Sequence, residues 1–267
     1  MTLQFLVGLC LGIAIAFLAW KARSLSLSGA LAAALTGGLI FGLGGLPWAI
    51  LLLTFFISSS ALSRLFENRK RAVSEKFSKG NQRDWGQVFA NGGLGTLLVI
   101  LSVLRMDSSW PWLAYVGAIA AVNADTWATE LGVFSPQAPR LITNGAQVER
   151  GTSGAISLWG SLASLAGAVL IGLVALLVRP TSGWTIIAAA AAGGMAGSFF
   201  DSYLGATVQA IYFCPVCRKE TERHPQHLCG NKTTLVRGWV WLNNDLVNLA
   251  CSLIGASIAG LFWLVMV

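Results

Sequence analysis

The chain has 267 residues, of which 55% are hydrophobic and only 11% are charged. Soluble domains usually carry about 25% charged residues, so the composition excludes an ordinary soluble globular protein. The net charge of +7 would suit a nucleic-acid partner in a soluble protein. We expect no such partner here, because Lys and Arg also concentrate in the cytoplasmic loops of membrane proteins.

Apolar runs long enough to cross a bilayer recur along the chain and predict an all-α, polytopic membrane bundle of about eight spans. The predicted spans are residues 3–20, 27–43, 46–63, 86–104, 110–128, 154–178, 184–211 and 242–266. The fourth is the weakest, because it opens on Asn91-Gly92-Gly93 and could be broken or re-entrant. No low-complexity linker divides the sequence, so we expect one membrane domain over residues 1–267.

Basic residues predict the orientation of this bundle. When the loops are assigned alternately to the two sides, all but two of the 18 Lys and Arg residues fall on one side, the exceptions being Arg105 and Arg179. The basic side is expected to be cytoplasmic, with both termini on the opposite side. The basic loop 64–85 indicates either a topology signal that faces anionic lipid or an electrostatic funnel for an anionic substrate.

Four acids lie in or beside the apolar runs: Asp125, Glu130, Asp201 and Asp245. An unpaired charge costs several kcal/mol within a membrane, so each acid is a candidate functional residue. Asp125 and Asp201 each lie on a helical stripe of small residues, and two such stripes could hold Mg²⁺ between them. The alternative is that these side chains form structural hydrogen bonds between helices.

Polar residues that could bind a nucleotide or a phosphate cluster around the same runs. The loop from Arg150 to Gly154 precedes a long apolar helix, whose N-terminal N–H groups could bind an anion. Thr152 or Ser153 could instead be an ordinary N-cap, as could Asn243 at the start of the last helix. The full set of candidates is Asn91, Asn123, Arg150, Gly151, Thr152, Ser153, Gly154, Lys232, Arg237, Asn244 and Asn248.

Three cysteines and two histidines cluster in the polar loop 212–241. Cys214, Cys217, His227 and Cys229 supply four ligands of the types that zinc prefers. A cytoplasmic loop argues against a disulfide, so we predict a structural Zn²⁺ site, with free thiols as the alternative.

Several of these pieces, in order between residues 87 and 248, resemble a membrane family that includes phytyl-phosphate kinase of plants and cyanobacteria and animal transmembrane protein 19. The matching segments are Gln87–Gly92, Asn123–Gly132, Gly151–Gly154, Asp201–Thr207, the Cys/His loop, and Trp241–Asn248. The spacing Asp125-x2-Ala128-x3-Gly132 is also similar to a motif of CTP-using membrane enzymes such as dolichol kinase and phosphatidate cytidylyltransferase. The longer Lys/Arg-rich signature of the cytidylyltransferases is not seen, which favours the kinase branch.

The resemblance implies transfer of a phosphoryl group from a nucleoside triphosphate, with CTP favoured, to a polyprenyl or phytyl monophosphate, as in tocopherol biosynthesis. Asp125 and Asp201 would then bind Mg²⁺ and act with Glu130 and Asp245 in catalysis. We expect the site to face the cytoplasm from a plasma membrane or thylakoid-type membrane. The alternatives are a transporter or lipid flippase and a cytidylyltransferase that makes a CDP-lipid.

Overall fold

A computed structural model describes residues 2–66, 76, 80, 82–104 and 109–266. Eight long helices in this part match the eight predicted spans one for one. They are α1 (Thr2–Lys21), α2 (Leu27–Gly44), α3 (Leu46–Leu65), α4 (Trp85–Leu104), α5 (Trp110–Gly132), α6 (Leu158–Val178), α7 (Thr185–Thr207) and α8 (Asn244–Leu261), followed by the short α9 (Trp263–Met266). The helical prediction is therefore confirmed.

The structure refines some details of that prediction. Helix α4 runs without interruption through Gly92 and Gly93, so this segment is neither broken nor re-entrant. Helix α7 ends at Thr207 instead of residue 211, because the chain enters a strand at Ile211.

In the described part of the chain, five short strands lie in the loops between the helices. Strands β1 (Arg140–Leu141) and β2 (Ala155–Ile156) pair antiparallel in the loop between α5 and α6. In the Cys/His loop, β3 (Ile211–Cys214) lies between β4 (Lys219–Thr221) and β5 (Thr234–Arg237), again antiparallel. Strands of two to four residues inside polar loops are too short to show the alternation by which strands are predicted.

Helix α5 lies at the centre of the bundle and contacts α3, α4, α6, α7 and α8. It is buried continuously from Pro111 to Ala124. Six of the eight long helices are long and apolar enough to cross a membrane, and α5 and α7 are not among them. These two helices carry Asp125 and Asp201. The neighbours of α5 bury most of its length, so α5 needs a less hydrophobic sequence.

Close packing around α5 depends on small residues. A Cβ atom added to Gly117 would collide with the carbonyl oxygen of Gly255 and with Cβ of Ala259 on α8. One added to Gly197 on α7 would lie 2.5 Å from Cβ of Ala121. Small residues of this kind let helix backbones approach each other in membrane bundles.

One end of the bundle is held by aromatic residues. The Tyr115 hydroxyl donates to the carbonyl oxygen of Trp48 at 2.8 Å, and the rings of Trp48 and Trp112 meet edge to face. Trp112 Nε1 donates to Ser182 at 3.2 Å, and the Arg179 guanidinium lies over the Trp112 ring. Arg179 thus lies at the end that the sequence assigns to the less basic side.

The four loops that the sequence assigns to the basic side meet at the opposite end. Arg83 and Ser24 pair through their backbones at 3.0 Å. Lys76 forms an ion pair with Glu149 at 2.9 Å, and its carbonyl oxygen accepts from the Glu222 amide at 2.8 Å. Five of the basic residues used for the orientation lie outside the described residues: Arg69, Lys70, Arg71, Lys79 and Arg105.

Candidate functional site

A polar cavity of about 300 Å³ lies at the end of the bundle where the four loops meet. Side chains from α4, α5, α6, α7 and α8 line it together with loop residues. The predicted site residues in its lining are Asn91, Asp125, Glu130, Arg150, Gly151, Thr152, Ser153, Gly154, Asp201, Asn244 and Asn248. Folding thus gathers most of the predicted site around one space.

Three carboxylates from separate parts of the chain line this cavity. Asp125 comes from α5, Asp201 from α7, and Glu222 from the residue after β4. Asp201 interacts electrostatically with both of the others, and its Oδ2 atom is buried without a hydrogen-bond partner in the described part of the chain. Like charges gathered in this way favour a cation between them, and carboxylate oxygens are ligands that Mg²⁺ prefers.

Glu222 is held over the cavity by a short hydrogen-bond relay. Ser153 donates to the side-chain oxygen Oε1 of Gln209 at 2.9 Å, and Nε2 of the same side chain donates to Glu222 at 2.9 Å. Gln209 is only 1% exposed, so this relay is fixed inside the protein. The sequence analysis missed both Gln209 and Glu222, because no motif marks them and only the fold brings them to the acids on the helices.

Arg83 also lines the cavity and supplies positive charge. Its guanidinium lies over the rings of Phe55 and Phe56, at 5.2 and 5.5 Å from their centroids. Burial lowers the pKa of Arg83 to about 10, although the nearby Glu130 carboxylate raises it, so the side chain stays protonated at neutral pH. Arg83 was also missed, because nothing in the sequence distinguishes it from the other cations of the loop 64–85.

Glu130 and Arg150 complete the charged lining. Glu130 is buried at the end of α5, where it accepts a hydrogen bond from Ser63 of α3 at 2.8 Å. Arg150 donates to the carbonyl oxygen of Ser135 at 2.7 Å, which fixes its side chain to the loop after α5. The cavity therefore combines carboxylates with two arginines, as a site for a phosphate and a divalent cation requires.

The turn from Gly151 to Gly154 lines the cavity, as predicted, but it does not form the N-terminus of α6. Strand β2 separates it from α6, and the N-cap of α6 is Ser157, which accepts from the Gly160 amide at 3.1 Å. An N-cap at Thr152 or Ser153 is therefore wrong. Ser157, Gly160 and Ser161 of the actual N-terminus line the same cavity, so an anion site at this helix end stays a prediction. Gly151 and Gly154 have φ angles of 77° and 81°, which glycine adopts without strain.

Asn123 serves helix packing and does not line the cavity. It is fully buried, donates to the Gly167 carbonyl oxygen of α6 at 2.8 Å, and accepts from Ser58 of α3 at 3.0 Å. Its side-chain amide thus links α3, α5 and α6. Structural hydrogen bonds of this kind are the alternative that the sequence left open for the neighbouring acids.

Three further candidates lie away from the cavity lining. Arg237 donates to the Ala206 carbonyl oxygen at 2.7 Å and ties β5 to the end of α7. Lys232 is exposed on the Cys/His loop, and Asp245 lies in the first turn of α8. The N-cap of α8 is Asn243, which accepts from the Leu246 amide at 3.1 Å, so the capping alternative for Asn243 is confirmed.

The ligand atoms of Cys214, Cys217, His227 and Cys229 lie within 4.8 Å of one another, so the cluster could hold a metal ion. The sulfur atoms of Cys214 and Cys229 are 3.6 Å apart. Two sulfur ligands of a tetrahedral zinc site would lie about 3.8 Å apart, given Zn–S bonds of about 2.3 Å. Hydrogen bonds from Asn231 lower the pKa of Cys229 to about 6, which favours the thiolate form that binds metals.

Known proteins resemble this chain over most of its length. A family model described as integral membrane protein DUF92 matches residues 10–256. Protein PGR of Arabidopsis thaliana is 37% identical over 228 residues, which cover 77% of this chain and 79% of that protein. An uncharacterized membrane protein of Methanocaldococcus jannaschii is 36% identical over 209 residues, which cover 77% and 85%.

A more distant relative is Protein VTE6, chloroplastic, of Arabidopsis thaliana. It is 25% identical over 243 residues, which cover 88% of this chain and 64% of the relative. No solved structure matches the chain.

Proposed function

The chain belongs to the DUF92 family of integral membrane proteins, and on that premise we propose that it is a nucleotide-dependent kinase of isoprenoid lipid phosphates. One observation carries the proposal. Asp125, Asp201 and Glu222 share a polar cavity with Arg83 and Arg150 at one end of a helical membrane bundle. This combination of charges suits two phosphate-bearing substrates and a divalent cation, and the resemblance to phytyl-phosphate kinase suggests phytyl or polyprenyl monophosphate as the acceptor.

In the proposed reaction, a phosphate oxygen of the lipid attacks the γ-phosphorus of the nucleoside triphosphate. The bond from that phosphorus to the β-phosphate bridging oxygen breaks, so the products are the lipid diphosphate and a nucleoside diphosphate. The acceptor is already an anion, so no strong general base is needed, and catalysis rests on positioning and charge neutralisation. Arg83 and Arg150 would supply fixed positive charge to the phosphates, and the turn from Gly151 to Gly154 would position them.

Asp125, Asp201 and Glu222 would hold Mg²⁺, which when bound offsets the negative charge of the nucleotide phosphates. The buried, unpartnered Oδ2 atom of Asp201 supports this assignment. Asn244 and Asn248, one turn apart on α8, would contact the nucleotide. Glu130, joined to Ser63, would act less directly by pairing electrostatically with Arg83.

The Cys/His loop would bind a structural Zn²⁺ through Cys214, Cys217, His227 and Cys229, and act with the helices as one membrane domain. We place the cavity on the cytoplasmic side, because the loops around it carry most of the basic residues. A plasma membrane or thylakoid-type membrane would suit the protein, and a chloroplastic relative supports the second.

The transporter alternative is less well supported. Transporter binding sites lie near the bilayer midplane, often at broken helices, whereas these acids line a cavity among the loops at one end of the bundle. The cytidylyltransferase alternative differs in its product, because only that enzyme leaves the nucleotide on the lipid.

The test is a nucleotide screen of the purified protein with phytyl and geranylgeranyl phosphate, read by mass spectrometry. We expect a lipid diphosphate to form only with a nucleoside triphosphate and Mg²⁺. Asp125→Asn and Asp201→Asn should each lower turnover by about 100-fold or more, as loss of a group that stabilises transition-state charge does. Glu149→Gln is the control, because Glu149 is exposed, pairs with Lys76 across the loops and does not line the cavity.

Each other outcome counts against the proposal in a distinct way. Full turnover in both aspartate variants would exclude the metal assignment. A product with the mass of a CDP-lipid would assign the protein to the cytidylyltransferases. Movement of lipid phosphate across liposomes without nucleotide, and with no diphosphate formed, would favour the transporter.

A further inference from the structure

A second cavity, of about 240 Å³, lies between α1, α2, α3 and α4. Its walls are largely apolar and include Leu11, Ala33, Leu52, Phe56 and Val88. The two cavities adjoin each other, because both are lined by the same three polar residues, Arg83, Gln87 and Asn91. A molecule with a charged head and a hydrocarbon chain could therefore occupy both at once.

Two glycines on facing helices keep the apolar cavity open. Among the described residues, a Cβ atom added to Gly37 of α2 would meet nothing within 4 Å, and one added to Gly92 of α4 would meet only Leu52 at 3.9 Å. Glycine inside a helix costs about 1 kcal/mol relative to alanine. The glycines around α5 offset that cost by allowing close helix contact, whereas Gly37 and Gly92 border empty space.

Arg83 lies where the polar and apolar cavities join. Its guanidinium stacks on Phe55 and Phe56, two rings that line the apolar cavity, while its charge borders the polar one. An arginine held in this way can contact a phosphate on one side and leave the hydrocarbon chain of the same molecule among aromatic and aliphatic side chains.

We propose that the apolar cavity binds the hydrocarbon chain of the isoprenoid phosphate, that Arg83 contacts its phosphate, and that Gly37 and Gly92 determine which chains fit. An isoprenoid carries methyl branches at regular intervals and is wider than a straight acyl chain, so it needs the lateral space that the two glycines leave. The inference rests on the proposed function, because it takes the acceptor to be an isoprenoid phosphate.

The experiment measures binding of labelled geranylgeranyl phosphate to the purified protein without nucleotide. Gly37→Leu fills the cavity and should weaken binding by about 10-fold or more, equivalent to about 1.4 kcal/mol. Gly93→Leu is the matched control, since Gly93 is a helix glycine of α4 that lines neither cavity. In the part of the chain that the structure describes, a Cβ atom there would meet only Phe89, at 3.8 Å. The affinity of this variant should stay within about twofold of the parent, because the substitution lies outside both cavities.

Two further ligands separate the roles of chain and phosphate. Isopentenyl phosphate, with only five carbons, should bind equally to the parent protein and to Gly37→Leu. Arg83→Gln should weaken both phosphates while leaving geranylgeraniol, which has no phosphate, unchanged. Gly92→Leu repeats the test from the facing helix, so the inference can still be tested if Gly37→Leu does not fold.

The inference is overturned if the two cavity-filling variants bind geranylgeranyl phosphate as well as the parent does. It is also overturned if phosphatidic acid competes equally well, because the cavity would then be a site for bilayer acyl chains. Since nucleotide is absent, failure of the kinase proposal would leave selective binding of the isoprenoid phosphate intact. Conversely, Gly37→Leu could leave kinase activity unchanged for every chain length. That result would reject the cavity assignment and leave the kinase proposal standing.

Discussion

Among individual residues, the three carboxylates proposed to hold Mg²⁺ differ in how they are held. Asp125 and Asp201 are fixed by two central helices that pack tightly against each other. Glu222 reaches the cavity from the loop after β4 and depends on Gln209 and on the backbone of Lys76 for its position. Glu222 is therefore the acid that can be changed with the least effect on the helical bundle.

We expect Glu222→Gln to lower nucleotide-dependent turnover by about 10- to 100-fold, the usual cost of disturbing the surroundings of a metal site. The substitution keeps an oxygen for the Gln209 hydrogen bond but removes one negative charge from the proposed Mg²⁺ site. Turnover should therefore recover partly at high Mg²⁺, which a titration of activity against Mg²⁺ concentration will measure.

Glu220→Gln is the control for this prediction. Glu220 lies two residues away on β4 and is exposed. An equal loss in both variants, without any change in the Mg²⁺ requirement, would show that the loss comes from damage to the sheet and not from the charge of Glu222.

The sequence could identify the candidate site residues that stand out by their position within a single helix. Asp125 and Asp201 stand out because a charged residue inside an apolar run is costly and the helical period places small residues beside it. Glu222 and Arg83 could not be found in this way, because their place at the cavity depends on how distant loops meet. Asn123 shows the converse: its polarity marked it as functional, but its buried partners Ser58 and Gly167 appear only in three dimensions.

Among the helices and strands, hydropathy predicted all eight long helices but could not tell which of them are most buried. The most buried helix, α5, and its neighbour α7 are less apolar than the lipid-exposed helices around them. Where a helix is surrounded by protein, small residues that permit close contact matter more than hydrophobicity. The strands escaped prediction because they are short and lie in loops whose clearest pattern is the Cys/His spacing.

Gly117 tests this account of packing. Gly117→Ala should destabilise the protein by about 1–3 kcal/mol, as overpacking usually does, because the new methyl group would run into Gly255 and Ala259 of α8. Gly93→Ala on α4 has room for the methyl group and should be neutral or stabilise by up to about 1 kcal/mol. Thermal unfolding in detergent measures both, and a stable Gly117→Ala variant would contradict tight packing between α5 and α8.

At the scale of the whole molecule, the Cys/His loop links the candidate metal-binding cluster to the polar cavity. The same small sheet carries Cys214 at the end of β3 and leads from β4 into Glu222. Arg237 on β5 ties the sheet to the end of α7. A metal ion held by the cluster would thus fix the loop that places the third carboxylate, although the cluster itself does not line the cavity.

This arrangement predicts that loss of metal acts on the reaction through Glu222. Removal of zinc by a chelator, or Cys217→Ser, should lower turnover about as much as Glu222→Gln and raise the Mg²⁺ requirement in the same way, while the helical content stays unchanged. Zinc analysis, circular dichroism and the Mg²⁺ titration measure the three quantities. Cys10→Ser is the control, because Cys10 is an exposed thiol on α1, far along the chain from the cluster.

A double variant separates this route from a direct catalytic role of the cluster. If the cluster acts only by placing Glu222, then Cys217→Ser added to Glu222→Gln should cost little further activity, because both changes remove the same carboxylate from the cavity. If the fold-losses of activity in the two single variants multiply in the double variant, the cluster contributes independently of Glu222. Full activity and an unchanged Mg²⁺ requirement in zinc-free protein would reject the link between the loop and the cavity altogether.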